Sequence, residues 1–398
     1  MDEVLNPYAP GAGTPPPELA GRDGEQTSFG VMLKRLAAGR PEQNLALWGL
    51  RGVGKTVLLN RFAAEAEEAG WGSGYIELRG RGPLRPALAQ VAAQAAQSLA
   101  RREKVRERLR ERLRRSLSVI SSFSITAMPA GITFKVDVDP TPGRGDSGQL
   151  DVDLQDVLVE LGETAREAGG GIAFFFDEMQ FAEKEDLQAL LAAFHRIAQR
   201  QLPVALVCAG LPQLPGRLAE ASSYAERLFQ YVEIGRLTED AAQAALTLPA
   251  QREGVEYEQA ALDFILARAD RYPFFLQTYG RYAWLVAAST PITGRDATTA
   301  DTIAQEQLDS GFHRARFNRA TAAERRYLAA IAELGDGPQQ TAKVSALLGA
   351  DQRRTALVRQ NLIDLKGLIY SPRRGYVDFT APLFGDYIRR HHPLESLL

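Results

Sequence analysis

Short apolar runs alternate with longer amphipathic ones over roughly the first 240 residues; after that only amphipathic runs follow. Asn44–Trp48 has the make-up of a buried strand, followed by a Gly-rich turn and helical spacing from Lys55 to Gly70. Tyr75–Leu78, Ile172–Phe176, Pro203–Cys208 and Tyr231–Ile234 predict further strands. Ile172–Phe176 and Pro203–Cys208 are continuously apolar, as strands covered on both faces are. Pro86–Leu117 predicts one long helix, densely charged in its second half, and Val152–Glu167 an amphipathic one. Between them Ser122–Val138 alternates apolar and polar residues around Pro129-Ala130-Gly131, which predicts a β-hairpin. Thr141–Gln149 reads as a Gly/Pro/Asp loop, and Leu237–Ser289 as helices only, with Thr290–Thr302 leading into another.

The last portion has its own rhythm. Thr321 with Glu324 three residues on forms a capping box for a helix Thr321–Leu334. Thr341 is set to cap Ala342–Leu348, which Gly349 ends, and Asp351–Lys366 predicts a third helix. Leu368-Ile369-Tyr370 and Tyr376-Val377-Asp378-Phe379 then flank Ser371–Gly375 as a hairpin. This is a winged helix-turn-helix pattern. The expected organisation is a Pro/Gly-rich arm (1–20), an α/β core (21–236) with a helix-hairpin insertion (80–150), a helical lid (237–310) and a winged helix (311–398).

Composition narrows the function classes. At 398 residues, 45% hydrophobic and 24% charged, the chain is of ordinary globular make-up. Its net charge of −2 confines any nucleic-acid surface to a local patch. Only seven lysines stand against 40 arginines, so arginine clusters are discounted as compositional bias. A lone Cys208 excludes an internal disulfide framework and a Cys-cluster metal site, and His195, His313, His391 and His392 are scattered. The acidic start Met1-Asp2-Glu3 does not look like a signal peptide, and no apolar run reaches membrane-spanning length. A cytoplasmic protein with no membrane partner is expected.

Gly49-Leu50-Arg51-Gly52-Val53-Gly54-Lys55-Thr56 fits G-x-x-x-x-G-K-[ST], between a predicted strand and a predicted helix. The glycines let successive amides wrap phosphates at a helix N-terminus; Val57 is the next residue of that turn. Lys55 is placed to reach the β- and γ-phosphates of ATP, and Thr56 to ligate Mg²⁺. The strand Ile172–Phe176 then ends in Asp177-Glu178. Asp177 is expected beside Thr56 on the metal, and Glu178 to orient or deprotonate water. These motifs point to ATP hydrolysis to ADP and phosphate.

The phosphate loop, the Phe-Phe-Phe-Asp-Glu-Met-Gln segment and Tyr224-Ala225-Glu226-Arg227-Leu228 resemble AAA+ P-loop ATPases of the origin-recognition and transposition-helper branch, which borders the STAND signalling ATPases. Gly21-Arg22-Asp23 resembles that group's adenine-side motif, and Asp270-Arg271-Tyr272-Pro273-Phe274 its G-x-P lid motif with Arg271 where Gly is usual. The resemblance implies a three-layer AAA+/ASCE core, with Arg22 and Pro273 near the nucleotide and Arg227 as an arginine finger for a neighbouring subunit. Where the family offers a polar sensor, Ala209-Gly210-Leu211-Pro212 has only Cys208 and Gln213 nearby, so slow turnover is expected.

Two surfaces leave partners open. Arg101–Arg115 carries nine basic and three acidic residues, with Val105, Leu109, Leu113 and Leu117 on one face. It suits DNA, a neighbouring subunit or a protein client. In the tail, a third helix presenting Arg353, Arg354 and Arg359 and a wing presenting Arg373 and Arg374 suit DNA phosphates. The function expected is an ATP-dependent switch that forms homo-oligomers and binds DNA through its tail. The alternative is a STAND-like signalling or scaffold ATPase whose winged helix makes protein or autoinhibitory contacts.

Overall fold

The computed structural model describes every residue except 12, 81, 102–106, 128–138, 141–142 and 398. Five strands, β1 (Asn44–Trp48), β2 (Gly72–Glu77), β3 (Ile172–Asp177), β4 (Val204–Gly210) and β5 (Phe229–Glu233), form a parallel sheet in the order β2-β3-β4-β1-β5. Helices α1 (Asp23–Ala37) and α2 (Lys55–Glu68) cover one face. On the other lie α3 (Leu84–Ala100), α5 (Leu150–Glu167), α6 (Lys184–Gln199) and α7 (Leu214–Ala221), with α4 (Glu107–Ala127) packed outside on α3 and α5. Strand β3 shows why both faces need cover. Its side chains alternate, with Phe175 meeting Phe29 of α1 on one side and Phe174 meeting Phe194 of α6 on the other. The parallel α/β core is the one expected.

Two expectations for the insertion are corrected. Pro86–Leu117 is not one helix: α3 ends at Ala100, and α4 returns to pack against it. Glycines in β2 bring α3 in close, since a Cβ at Gly72 would lie 2.4 Å from the Ala95 carbonyl oxygen and one at Gly74 2.2 Å from that of Val91. The α4 face that includes Leu113, Ile120 and Phe123 then buries against this layer. Ser122–Ala127, expected to open a hairpin, continues α4; the hairpin's remainder, 128–138, lies outside the described residues.

Beyond α8 (Ala225–Leu228) and β5 come the helices α9 (Glu239–Arg252), α10 (Gln259–Arg268), α11 (Pro273–Val286) and α12 (Gly294–Gln307). Helix α12 runs on through a π-helical turn, Leu308–His313, into α13 (Arg314–Asn318). The last module has α14 (Ala322–Glu333), β6 (Gln339–Gln340), α15 (Thr341–Leu347), α16 (Gln352–Asp364), β7 (Ile369–Tyr370), β8 (Tyr376–Phe379) and α17 (Phe384–His391), its strands antiparallel in the order β6-β8-β7. Thr321 and Glu324 form the expected capping box. Thr341 is instead the first residue of α15, and its hydroxyl donates to the Gly375 carbonyl. The module is fixed to the rest by Arg390, whose guanidinium meets Asp309 of the π turn at 2.8 Å, and by the Arg51 amide, which donates to the Thr380 carbonyl at 2.8 Å. No helix among the described residues is long and apolar enough to cross a membrane.

Candidate nucleotide site

The phosphate loop leaves the C-terminal end of β1. Gly52 and Gly54 take left-handed backbone (φ 79° and 93°), which glycine adopts without a Cβ penalty, and Gly54 is the N-cap of α2. Gly49 serves another need: a Cβ there would sit 2.1 Å from the Ile234 carbonyl oxygen, where the chain after β5 pairs with Trp48. Lys55 is buried, and its Nζ donates to the carbonyls of Gly49 (2.9 Å) and Leu50 (2.7 Å). Burial pushes its pKa down to about 8, against the pull of Glu178 and Asp177. A cationic side chain and a helix N-terminus thus converge on one spot, an arrangement that attracts phosphate.

Strand β3 delivers both carboxylates. Thr56 Oγ1 donates to Asp177 Oδ2 at 2.5 Å, and Tyr75 donates to the same oxygen at 3.4 Å. Burial raises the Asp177 carboxyl, while the Thr56 bond opposes that rise. A hydroxyl and a carboxylate side by side suit Mg²⁺, which takes oxygen ligands, keeps water and needs few carboxylates. Among the described residues no group of three or more His, Cys, Asp or Glu could hold a metal. Glu178 follows in left-handed backbone (φ 54°). Its Oε1 lies 3.4 Å from Arg51 Nη1, and its Oε2 accepts from Gln180 Nε2.

These groups border a cavity of about 870 Å³ lined by Arg51–Val57, Asp177 and Glu178, with Arg22 and Pro273 on its wall. The Arg22 guanidinium donates to the Gly235 carbonyl at 2.7 Å, and burial lowers its pKa. Pro273 opens α11, and the next amide, Phe274, donates to the Gly52 carbonyl at 3.2 Å. Arg271 occupies left-handed backbone (φ 57°) at the position where the family motif has Gly. Gly49 and Leu50 stand behind the loop, touching Lys55 through their carbonyls.

Other expected residues lie elsewhere. Arg227 is exposed just before β5, at the N-terminal end of the sheet. The loop leaves the opposite end, a strand length of about 16 Å away, so Arg227 cannot serve its own site. Arg353, Arg354, Arg373 and Arg374 are exposed on the last module and Arg359 is half-buried, all outside the cavity lining.

Several residues were missed in the sequence. Gln180 supplies a polar bridge between strand ends, its Oε1 accepting from the Leu211 amide at 3.0 Å. Arg316 lines the cavity, its guanidinium 3.7 Å from the Phe312 ring centre; burial lowers its pKa to about 10. The arm 1–20 is no loose extension. Tyr8 is buried with its hydroxyl on the Leu246 carbonyl (2.6 Å), and Gly13 passes so close to Thr56 that a Cβ would lie 3.2 Å from its methyl. Only the Asp-Glu-Met-Gln string hinted at Gln180; Arg316 and the arm carry no motif.

Residues 18–207 match a family described as the AAA ATPase domain, and residues 310–388 match a domain of unknown function. No curated protein matches the chain. Among solved structures the chain is similar to the Walker-type ATPase of Pyrococcus abyssi, at 17% identity and TM-score 0.55, over 92% of this chain and 95% of that one. It is also similar to the RuvB Holliday junction branch migration motor of Thermotoga maritima (16% identity, TM-score 0.45, 94% and 95% covered). A third similarity is to the Orc1 protein of Aeropyrum pernix, solved in complex with DNA (16%, TM-score 0.42, 96% and 95%). At 17% identity the likeness to the Walker-type ATPase is one of fold.

Proposed function

We propose that this ATP-hydrolysing enzyme, whose residues 18–207 match the AAA ATPase domain, is a slow nucleotide-driven switch that assembles with copies of itself and binds DNA through its last module, a winged helix. In this reading the amides of Gly52–Thr56 and the Lys55 ammonium hold the phosphates, while Arg22, Pro273 and the arm wall the cavity. Thr56 and Asp177 hold Mg²⁺, which when bound neutralises charge on the phosphates. Glu178 orients a water whose oxygen attacks the γ-phosphorus. The bond from that phosphorus to the bridging oxygen breaks, the water's proton passes to Glu178, and ADP and phosphate remain. Arg227, exposed and a strand length from its own loop, is suited to reach a neighbouring subunit's nucleotide.

The observation that carries the DNA reading is the placement of basic side chains on the last module. Arg353 and Arg354 on α16 and Arg373 and Arg374 in the β7–β8 turn are all exposed, while Gly367 and Thr380 of the same module rest against Arg51 of the phosphate loop. A protein partner is the second reading, favoured by Leu357, 67% exposed on the same helix, with Leu347 and Leu365 also exposed nearby. Salt dependence separates them. Replacing Arg373 and Arg374 with Ala should weaken DNA binding and flatten the slope of log K against log salt by nearly two units, at about 0.9 per phosphate contact. No DNA binding by the full chain favours the protein partner, while binding with an unchanged slope moves the DNA contact from the wing to another basic stretch such as Arg101–Arg115.

A further inference from the structure

We propose that Arg51 is a positioning residue that restrains Glu178, and that the last module seats it there, so that docking of this module slows ATP turnover. The role rests on Glu178 as the acceptor of the water's proton. Both oxygens of that carboxylate are engaged, Oε1 facing Arg51 Nη1 at 3.4 Å and Oε2 accepting from Gln180 Nε2. A carboxylate tied on one side to a guanidinium and on the other to an amide is fixed in direction, and the Arg51 contact takes up a lone pair of Oε1 that an attacking water would otherwise use. Gln180 is itself fixed to the Leu211 amide at 3.0 Å, which leaves Arg51 as the partner that can move away.

The placement of Arg51 depends on the last module. Its backbone amide donates to the Thr380 carbonyl at 2.8 Å. Its guanidinium lies against Gly367, where a Cβ would come within 3.2 Å of Nη2 and 2.9 Å of Leu211 Cδ1. Gly367 and Thr380 are tied together, the Thr380 hydroxyl donating to the Gly367 carbonyl at 2.6 Å, so one corner of the module touches Arg51 twice. The Arg51 Nε is buried without a hydrogen-bond partner among the described residues. The guanidinium is therefore held toward Glu178 by packing as much as by its own bonds. The pair is partly exposed at the cavity wall, 18% of the Arg51 side chain and 21% of the Glu178 side chain being accessible. Anything that lifts the Gly367–Thr380 corner releases Arg51 without touching a group that binds phosphate.

The test is steady-state ATP hydrolysis by the full chain carrying Arg51→Met, Arg51→Lys, Gly367→Ala, or Arg51→Met with Gly367→Ala. Arg51→Met keeps the stem and removes the charge; kcat should rise about fivefold, the most that a partly exposed ion pair is usually worth, while KM changes less than about twofold. Gly367→Ala, outside the cavity, places a methyl in left-handed backbone (φ 57°) against both Leu211 Cδ1 and the guanidinium; kcat should rise in the same direction as the guanidinium gives way, and the double variant should gain nothing beyond the larger single effect. Arg51→Lys should fall between wild type and Arg51→Met. A fall in kcat, or a KM raised tenfold by Arg51→Met, makes Arg51 a phosphate ligand and overturns the proposal, as do additive effects of the two substitutions. If circular dichroism shows that Gly367→Ala disturbs folding, the Arg51→Met and Arg51→Lys pair decides alone. Glu178→Gln in the wild-type and Arg51→Met backgrounds should lower turnover at least about a hundredfold in both. A smaller loss removes Glu178 as the base, an outcome distinct from an Arg51 without effect on kcat, which overturns the proposal itself.

Discussion

Nucleotide binding should draw a proton onto Lys55. Burial depresses the ammonium in the free protein to about 8, with Glu178 and Asp177 opposing, whereas bound phosphates restore its charge. At pH 8.5 a group with a pKa of about 8 is roughly one-quarter protonated, so binding should take up about 0.75 proton; at pH 7 the uptake falls to about 0.1. The complex retains a proton that the free protein loses, so affinity weakens as pH rises through 8. From pH 7 to pH 9 the loss is about tenfold, or about 1.4 kcal/mol. Calorimetry with ADP and a chelator, in buffers of different ionisation enthalpy, reads the uptake without hydrolysis or metal. Lys55→Met is the control and should itself bind far more weakly, since it removes the loop's own cation. An uptake near zero at pH 8.5, or an equal uptake in Lys55→Met, refutes the reasoning.

Glu178→Gln should still bind ATP but hydrolyse it at least about a hundredfold more slowly. Mixing it with an inactive Arg227→Ala should restore activity if an interface pairs an intact Glu178 with an intact Arg227; no complementation at any concentration leaves Arg227 an ordinary surface residue. His313 is buried against Phe384 and Tyr387, and burial lowers its pKa to about 3, with Arg316 and Arg390 adding to the fall and Asp309 opposing it. Because the unfolded chain takes the proton first, stability is lost as pH falls from about 6.5 toward 3, by about 2 kcal/mol between pH 7 and pH 5. His313→Phe should remove that share in urea titrations at the two pH values; equal acid losses in both proteins would mean the ring is not held neutral.

The strands were legible because each central one is a continuous apolar run, and the phosphate loop because its chemistry is contiguous. That Ser122–Ala127 reads as the start of a hairpin has a local cause. Ser122 and Ser124 are buried in α4, where their hydroxyls bond back to the Ser118 and Ser121 carbonyls, so small polar residues alternate with apolar ones inside a helix and imitate a strand. Of the described residues near the reversal between α3 and α4, none of Leu99, Ala100 or Arg101 is a helix breaker, so periodicity carried straight through. In the site, Asp177 and Glu178 were found by motif. The Arg51–Glu178 contact joins residues 127 apart, and the cavity-facing Arg316 lies in an arginine-rich stretch; neither spacing leaves a trace along the chain.

The π-helical turn Leu308–His313 gives the molecule a phase. A π turn carries one residue more than the α-helix around it, and each α-helical residue rotates the chain by about 100°. Phe312 stacks on Phe274 of α11 while the adjacent His313 stacks on Phe384 of the last module, so that extra residue sets which way everything after it faces. Relaxing this turn to α-helix with all its residues kept would swing the following module by about 100°, carrying Thr380 off the Arg51 amide, whereas deleting one residue as the turn relaxes would cancel that rotation. The alignment of two halves of the protein is thus counted out in a single residue, and a one-residue deletion at 308–313 should be tolerated better than a one-residue insertion there.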